Sequence, residues 1–172
     1  MIEDPPWSER LRLDQIGAGV TRHLIADEGV RARVVEALDL ASLDRLEAEL
    51  SEKPAGAGWR LDGRVVSDLA QVCGVTLEPL PVHVDERFSV DLVEATEENP
   101  VPRVIEADPE APEGPDWIED GVIDLGAYAL EHLALALDPY PRKPGAEFEP
   151  PQTEAEPSPF AVLAQLKAKD RS

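Results

Sequence analysis

The sequence holds one cysteine, one methionine and only 5% aromatic residues. A single thiol cannot build an internal disulfide framework, so the chain suits a reducing compartment. Zinc sites take four ligands, mostly from closely spaced cysteine and histidine pairs, and the CxxC position after Cys73 is occupied by Thr76. No metal or other cofactor is expected. Nothing in the sequence puts His23, His83 or His132 beside Cys73, so a Cys/His nucleophile has no support either, and Cys73 reads best as a small buried residue. Gly17-Ala-Gly19 and Gly56-Ala-Gly58 lack the full spacing of a phosphate-binding loop and read as turns. No apolar run approaches the ~18 residues of a membrane span, and the first thirteen residues carry neither a basic region nor an apolar stretch of signal-peptide type. The expectation is a soluble, cytoplasmic protein without membrane contact.

Basic side chains are also scarce, with 16 Lys and Arg against 36 Asp and Glu, a formal charge of −20. A polyanion repels phosphate backbones and forgoes the counterion release that drives most nucleic-acid binding. Broad RNA binding is disfavoured and a basic protein is attracted, although acidity also serves plain solubility. With 172 residues and 17 prolines, the chain has room for one domain with a mainly aliphatic core of about 110 to 130 packed residues, plus solvated segments.

The most regular stretch runs from Trp59 to Pro79 and on to Leu92. Trp59, Leu61, Gly63 and Val65 alternate with Arg60, Asp62 and Arg64, the period of a strand. After the turn marked by Pro79 and Pro81, the same period returns in Val82, Val84, Phe88, Val90 and Leu92, broken only at Glu86. The two runs are expected to pair as an antiparallel hairpin.

Elsewhere, residues 7–13 and Val20 to Ala26 read as strands, and Asp27 is an N-cap for a helix whose face is Val30, Val34, Ala37 and Leu38. Ser42 to Glu52 is ambiguous, because Leu43, Leu46 and Leu50 suit a helix while Leu46, Ala48 and Leu50 alternate. Glu94 to Asp120 holds ten acidic residues, one basic residue (Arg103) and five prolines, and reads as an acidic loop, either a solvated linker or a landing strip for a basic protein. Asp124 caps an apolar helix through Leu137, with Leu125, Tyr128, Ala129, His132 and Ala136 on one stripe and Leu130, Leu133 and Leu137 on another. Seven prolines between 139 and 159 read as an extended tether. Ser158 and Pro159 then open a short helix bearing Phe160, Leu163 and Leu166, an apolar edge that needs something to dock on.

Three runs carry a resemblance. Gln-Val-Cys-Gly-Val-Thr-Leu-Glu-Pro from Gln71 to Pro79, after the Trp59 to Gly63 strand, resembles the core motif of the YceD-like family in its alphaproteobacterial form. Ile123 to Gly145 and Pro157 to Lys167 resemble two later motifs of that family, in the same order and spacing. The resemblance implies that Ser42 to Glu52 is a strand turning into Trp59. It also implies a role in accumulation of large-subunit ribosomal RNA, since members are implicated in it and in many bacteria are encoded beside a small basic zinc-ribbon protein of that subunit. Many members outside this form carry Cys-x-x-Cys-x-x-Pro, of which this chain keeps Cys73 and Pro79.

The fold expected is α+β: an antiparallel, partly barrel-like sheet with one or two covering helices in a domain over residues 1–141, including the acidic loop at 94–121. A Pro-rich tether (142–157) and a short C-terminal helix and tail (158–172) follow. The functional motif comprises Trp59, Gln71, Cys73, Thr76, Glu78 and Pro79. Glu78 and Asp124 are the carboxylates singled out, each equally suited to a turn or cap. Phe160, Leu163 and Leu166 are candidate docking residues. The expected function is non-enzymatic support of large-subunit assembly by binding a basic ribosomal protein or assembly factor, with rRNA met indirectly. The alternative is direct rRNA contact through Arg60, Arg64 and Arg87.

Overall fold

The computed structural model describes residues 5–96, 101 and 114–147. In chain order the elements are β1 (Arg10–Arg12), β2 (Val20–Ile25), α1 (Glu28–Ala37), β3 (Ser42–Ala55), β4 (Gly58–Val72), β5 (Pro79–Glu94), β6 (Asp116–Ile118), β7 (Val122–Asp124) and α2 (Leu125–Ala136). The large sheet has the order β2-β3-β4-β5-β6, and β1 pairs with β7 in a small second sheet. The expected hairpin is present, with β4 and β5 antiparallel and Leu61 opposite Val90. Architecture is α+β, but the large sheet is open. A barrel would need β2 to meet β6; instead α1, α2 and the small sheet contribute to the core over one face, which removes the apolar surface that closure would bury.

The ambiguity of Ser42 to Glu52 resolves as strand, and its cause is visible. The β3–β4 register slips between Leu43 and Arg45, which puts an extra residue at Asp44. A bulge of this kind returns the chain to the same face after three residues instead of two. Leu43 and Leu46 are therefore both buried, and the leucine spacing imitates a helix.

Leu46, Ala48 and Leu50 of β3 and Leu61, Val65 and Leu69 of β4 line the covered face. Asp27 caps α1 by accepting the Val30 N–H at 2.7 Å, and Val34 is the helix's fully buried residue. α2 was expected to be wedged by two apolar stripes. Both stripes reach the core, with Leu125 and Ala129 of one and Leu133 of the other buried and Tyr128, Leu130 and Leu137 partly buried against it, whereas Leu135 faces solvent. A helix lying on a single sheet layer keeps an outer side. Asp124 caps it through the Ala127 N–H and also accepts from the Ser8 hydroxyl (2.5 Å) and the Glu9 N–H (2.9 Å), tying the N-terminal strand to the helix. Gly126 permits that approach, since a Cβ there would stand 2.8 Å from the Trp7 carbonyl oxygen.

The acidic run is not loop throughout. Asp116–Ile118 adds β6 in parallel to β5, with Leu92 opposite Asp116, because Ile118 is buried in the core. Residues 97–100 and 102–113 of that run lie outside the described residues, as do 148–157 of the tether and the 158–172 segment with Phe160, Leu163 and Leu166.

Gly63 lies under the Phe88 ring, whose other neighbour is the stacked His132 ring at 3.6 Å between centroids and 9° between planes. An added Cβ would collide with Phe88 and break the stack. Gly63→Ala is expected to cost about 1–3 kcal/mol, as overpacking does, read as a lower urea midpoint. Unchanged stability would mean that the ring moves freely.

Candidate functional site

The β4–β5 turn is built by its own backbone. The Cys73 N–H donates to the Glu78 carbonyl and the Leu77 N–H to the Cys73 carbonyl, both at 2.9 Å. Leu77 takes φ 59°, a conformation rare for a γ-branched residue. The Cys73 sulfur is fully buried and accepts the N–H groups of Thr76 (3.4 Å) and Lys143 (3.3 Å). Hydrogen bonds from Thr76, then the backbone N–H groups of Lys143 and Val75, pull the thiol down to about 6 against the effect of burial. Glu78 accepts from Lys143 Nζ at 2.8 Å and Thr76 Oγ1 at 3.1 Å, and these contacts, Lys143 first, hold its carboxyl below the usual range.

Lys143 belongs to the stretch read as a free tether. Its first part is instead a strap. Gln71 Nε2 donates to the Asp138 carbonyl and the Gly74 N–H to the Pro141 carbonyl, each at 2.9 Å, so residues 138–143 lie across the end of the hairpin. Proline removes backbone donors but leaves carbonyls as acceptors, and the Pro141 carbonyl is one of those used here. Sequence reasoning missed Asp138, Tyr140 and Lys143. The only available signal was that the run Asp-Pro-Tyr-Pro-Arg-Lys-Pro-Gly sits inside a family motif.

Gln71, Cys73, Thr76 and Glu78 therefore form one cluster, and Pro79 begins β5 beside it. Trp59 does not join them: it pairs with Pro54 and Leu92 at the far end of β4, half-buried against the core. Glu78 is held by Thr76 and Lys143 while Asp124 caps α2, and the two carboxylates share no hydrogen-bond partner among the described residues. Among the described residues no group of three or more His, Cys, Asp or Glu side chains converges as a metal site.

The uncovered sheet face carries alternating charges. Arg60 binds Asp91 through two hydrogen bonds (2.8 and 2.9 Å), and Arg64 binds Asp85 through two at 2.6 Å. Arg45 holds Glu47 in the same manner, Lys53 donates one bond to Asp62 at 2.8 Å, and His83 Nδ1 is 2.6 Å from Asp68. Arg87 is exposed and faces Arg64 in the register. Beside the strap lies a cleft of about 380 Å³ between the ends of α1, β4 and α2.

An open sheet covered on one face, with a paired-charge outer face and a clasped hairpin end, defines an acidic α+β domain. No helix among the described residues is long and apolar enough to cross a membrane. The chain belongs to the family described as large ribosomal RNA subunit accumulation protein YceD, whose model matches residues 61–167. That match covers the hairpin, its turn, α2 and the strap. No curated protein and no solved structure matches the chain. The family's description ties it to accumulation of large-subunit ribosomal RNA.

Proposed function

We propose that the protein is a non-enzymatic factor that supports accumulation of 23S rRNA and assembly of the large ribosomal subunit by binding a basic ribosomal protein or assembly factor. Family membership supports the process. The observation favouring a protein partner over RNA is the pairing of Arg60 and Arg64: each guanidinium already holds a carboxylate by two bonds, so a phosphate would have to displace Asp91 or Asp85. With a net charge of −20 the long-range field draws a cationic partner and speeds encounter.

Purified protein used as bait in cell lysate at low salt is expected to retain large-subunit ribosomal or assembly proteins, with retention falling as salt rises. Retention of none would overturn the reading. If purified rRNA fragments alone shift in a gel, with affinity falling steeply with salt and lost on Arg87→Ala, the direct rRNA reading replaces it.

A further inference from the structure

We infer that the cleft beside the strap is the docking site for an extended segment of the basic partner, which places a lysine or arginine side chain in the cleft and an apolar side chain against Leu77 and Tyr140. This rests on the protein-partner reading above. The cleft is lined by the half-buried Leu38, Val72 and Leu137 beside the buried Gln71, and it carries two exposed carboxylates, Asp39 and Asp138. Asp39 makes no hydrogen bond or ion pair among the described residues, and Asp138 uses one oxygen on the Tyr140 N–H at 2.9 Å. Aliphatic side chains beside exposed carboxylates match a lysine or arginine, whose stem is aliphatic and whose tip is charged.

Two further features point outward at this end of the molecule. Tyr140, between the cleft-lining Pro139 and Pro141, is 79% exposed, and Leu77, in the turn under the strap, is 76% exposed. Leu77 holds a left-handed backbone that is unfavourable for a residue of its type, while burying almost nothing within its own chain. Asp39 is also left-handed, at φ 50°, as the residue that closes the C-terminus of α1, where the Leu40 N–H returns to the Val35 carbonyl at 3.0 Å. Strain of this kind persists where the surroundings over-determine it, and it gathers at binding sites.

The test uses the full chain and a fluorescent twelve-residue peptide of alternating Lys and Leu, followed by anisotropy. Asp39→Asn with Asp138→Asn is the first variant. Asn tolerates the left-handed region and its side-chain oxygen still accepts the Tyr140 N–H, so the fold is kept. The dissociation constant should rise at least about tenfold, the size of one charge-assisted contact. Asp44→Asn with Glu86→Gln removes the same charge elsewhere and should change it less than about twofold, as expected for a screened surface charge. Leu77→Asn should weaken binding several-fold and raise thermal stability, because Asn relieves the strained backbone. Equal weakening in both charge variants, or no weakening in the Asp39/Asp138 pair, overturns the cleft assignment. The same variants used as lysate bait separate the two readings: if the Asp39/Asp138 pair retains ribosomal proteins as well as the unmodified chain does, the cleft falls and the protein-partner reading stands. If the unmodified chain retains none, both fall.

Discussion

Leu133→Ala is expected to destabilise the protein by about 2–5 kcal/mol, the cost of a large-to-small change where the surroundings cannot collapse. Leu133 is fully buried on the packed side of α2, in line with Leu125 and Ala129. That line is the helix's buried purchase on the core, beside the His132–Phe88 stack. A cavity at its third member loosens the end of α2 from which the strap departs, so the effect reaches Cys73, whose sulfur is covered from that side by the Lys143 N–H. Urea unfolding should show a lower midpoint with unchanged slope. Reaction of Cys73 with a thiol reagent under native conditions should be faster than in the unmodified protein, since local opening exposes a thiol that is otherwise fully buried. A stability loss without faster reaction would mean that the strap holds independently of the helix.

Glu52→Leu should act in the opposite direction. Glu52 follows Leu50 on the covered face of β3, is 0% exposed, and neither carboxylate oxygen has a hydrogen-bond partner among the described residues. Desolvation raises its pKa above the ordinary glutamate value of 4.5, only partly countered by its own backbone N–H and Arg22. The folded state thus binds the proton more tightly than the unfolded chain. Its contribution is fully present below pH 4.5 and is lost as pH rises through the higher folded pKa, where the fold must either bury a charge or open. Removing an unpaired buried polar group is worth about 1–3 kcal/mol, so the leucine variant should be more stable, with a larger gain at pH 8 than at pH 4. Thermal unfolding at the two pH values measures this. A loss of stability at both would show that the carboxyl is satisfied by a group beyond those described.

Local patterns were legible wherever the chemistry is local. The alternation from Trp59 to Leu92, the Asp27 and Asp124 caps, and the leucines of α2 each announce an element because the period of the backbone selects which side chains share a face. Ser42 to Glu52 shows the limit of that logic. A single bulged residue at Asp44 shifted the phase and left two periods equally plausible. The misreading of residues 138–143 has a different origin. Their prolines argue against a regular element, and so they do, but nothing local says that their carbonyls and N–H groups are aimed at Gln71, Gly74 and the Cys73 sulfur, some 70 positions earlier.

Composition and period alone determined that the chain is acidic, aliphatic-cored and built round a β-hairpin, since charge, side-chain volume and backbone repeat are properties of neighbours in the chain. Only the tertiary structure decided that the sheet stays open, that Arg60 and Arg64 are occupied by Asp91 and Asp85, that Glu52 is buried without a partner, and that the strap sits beside a cleft lined by Asp39. Each depends on which distant residues meet. That is settled by register and packing, summed over the whole core, and no window of sequence contains it.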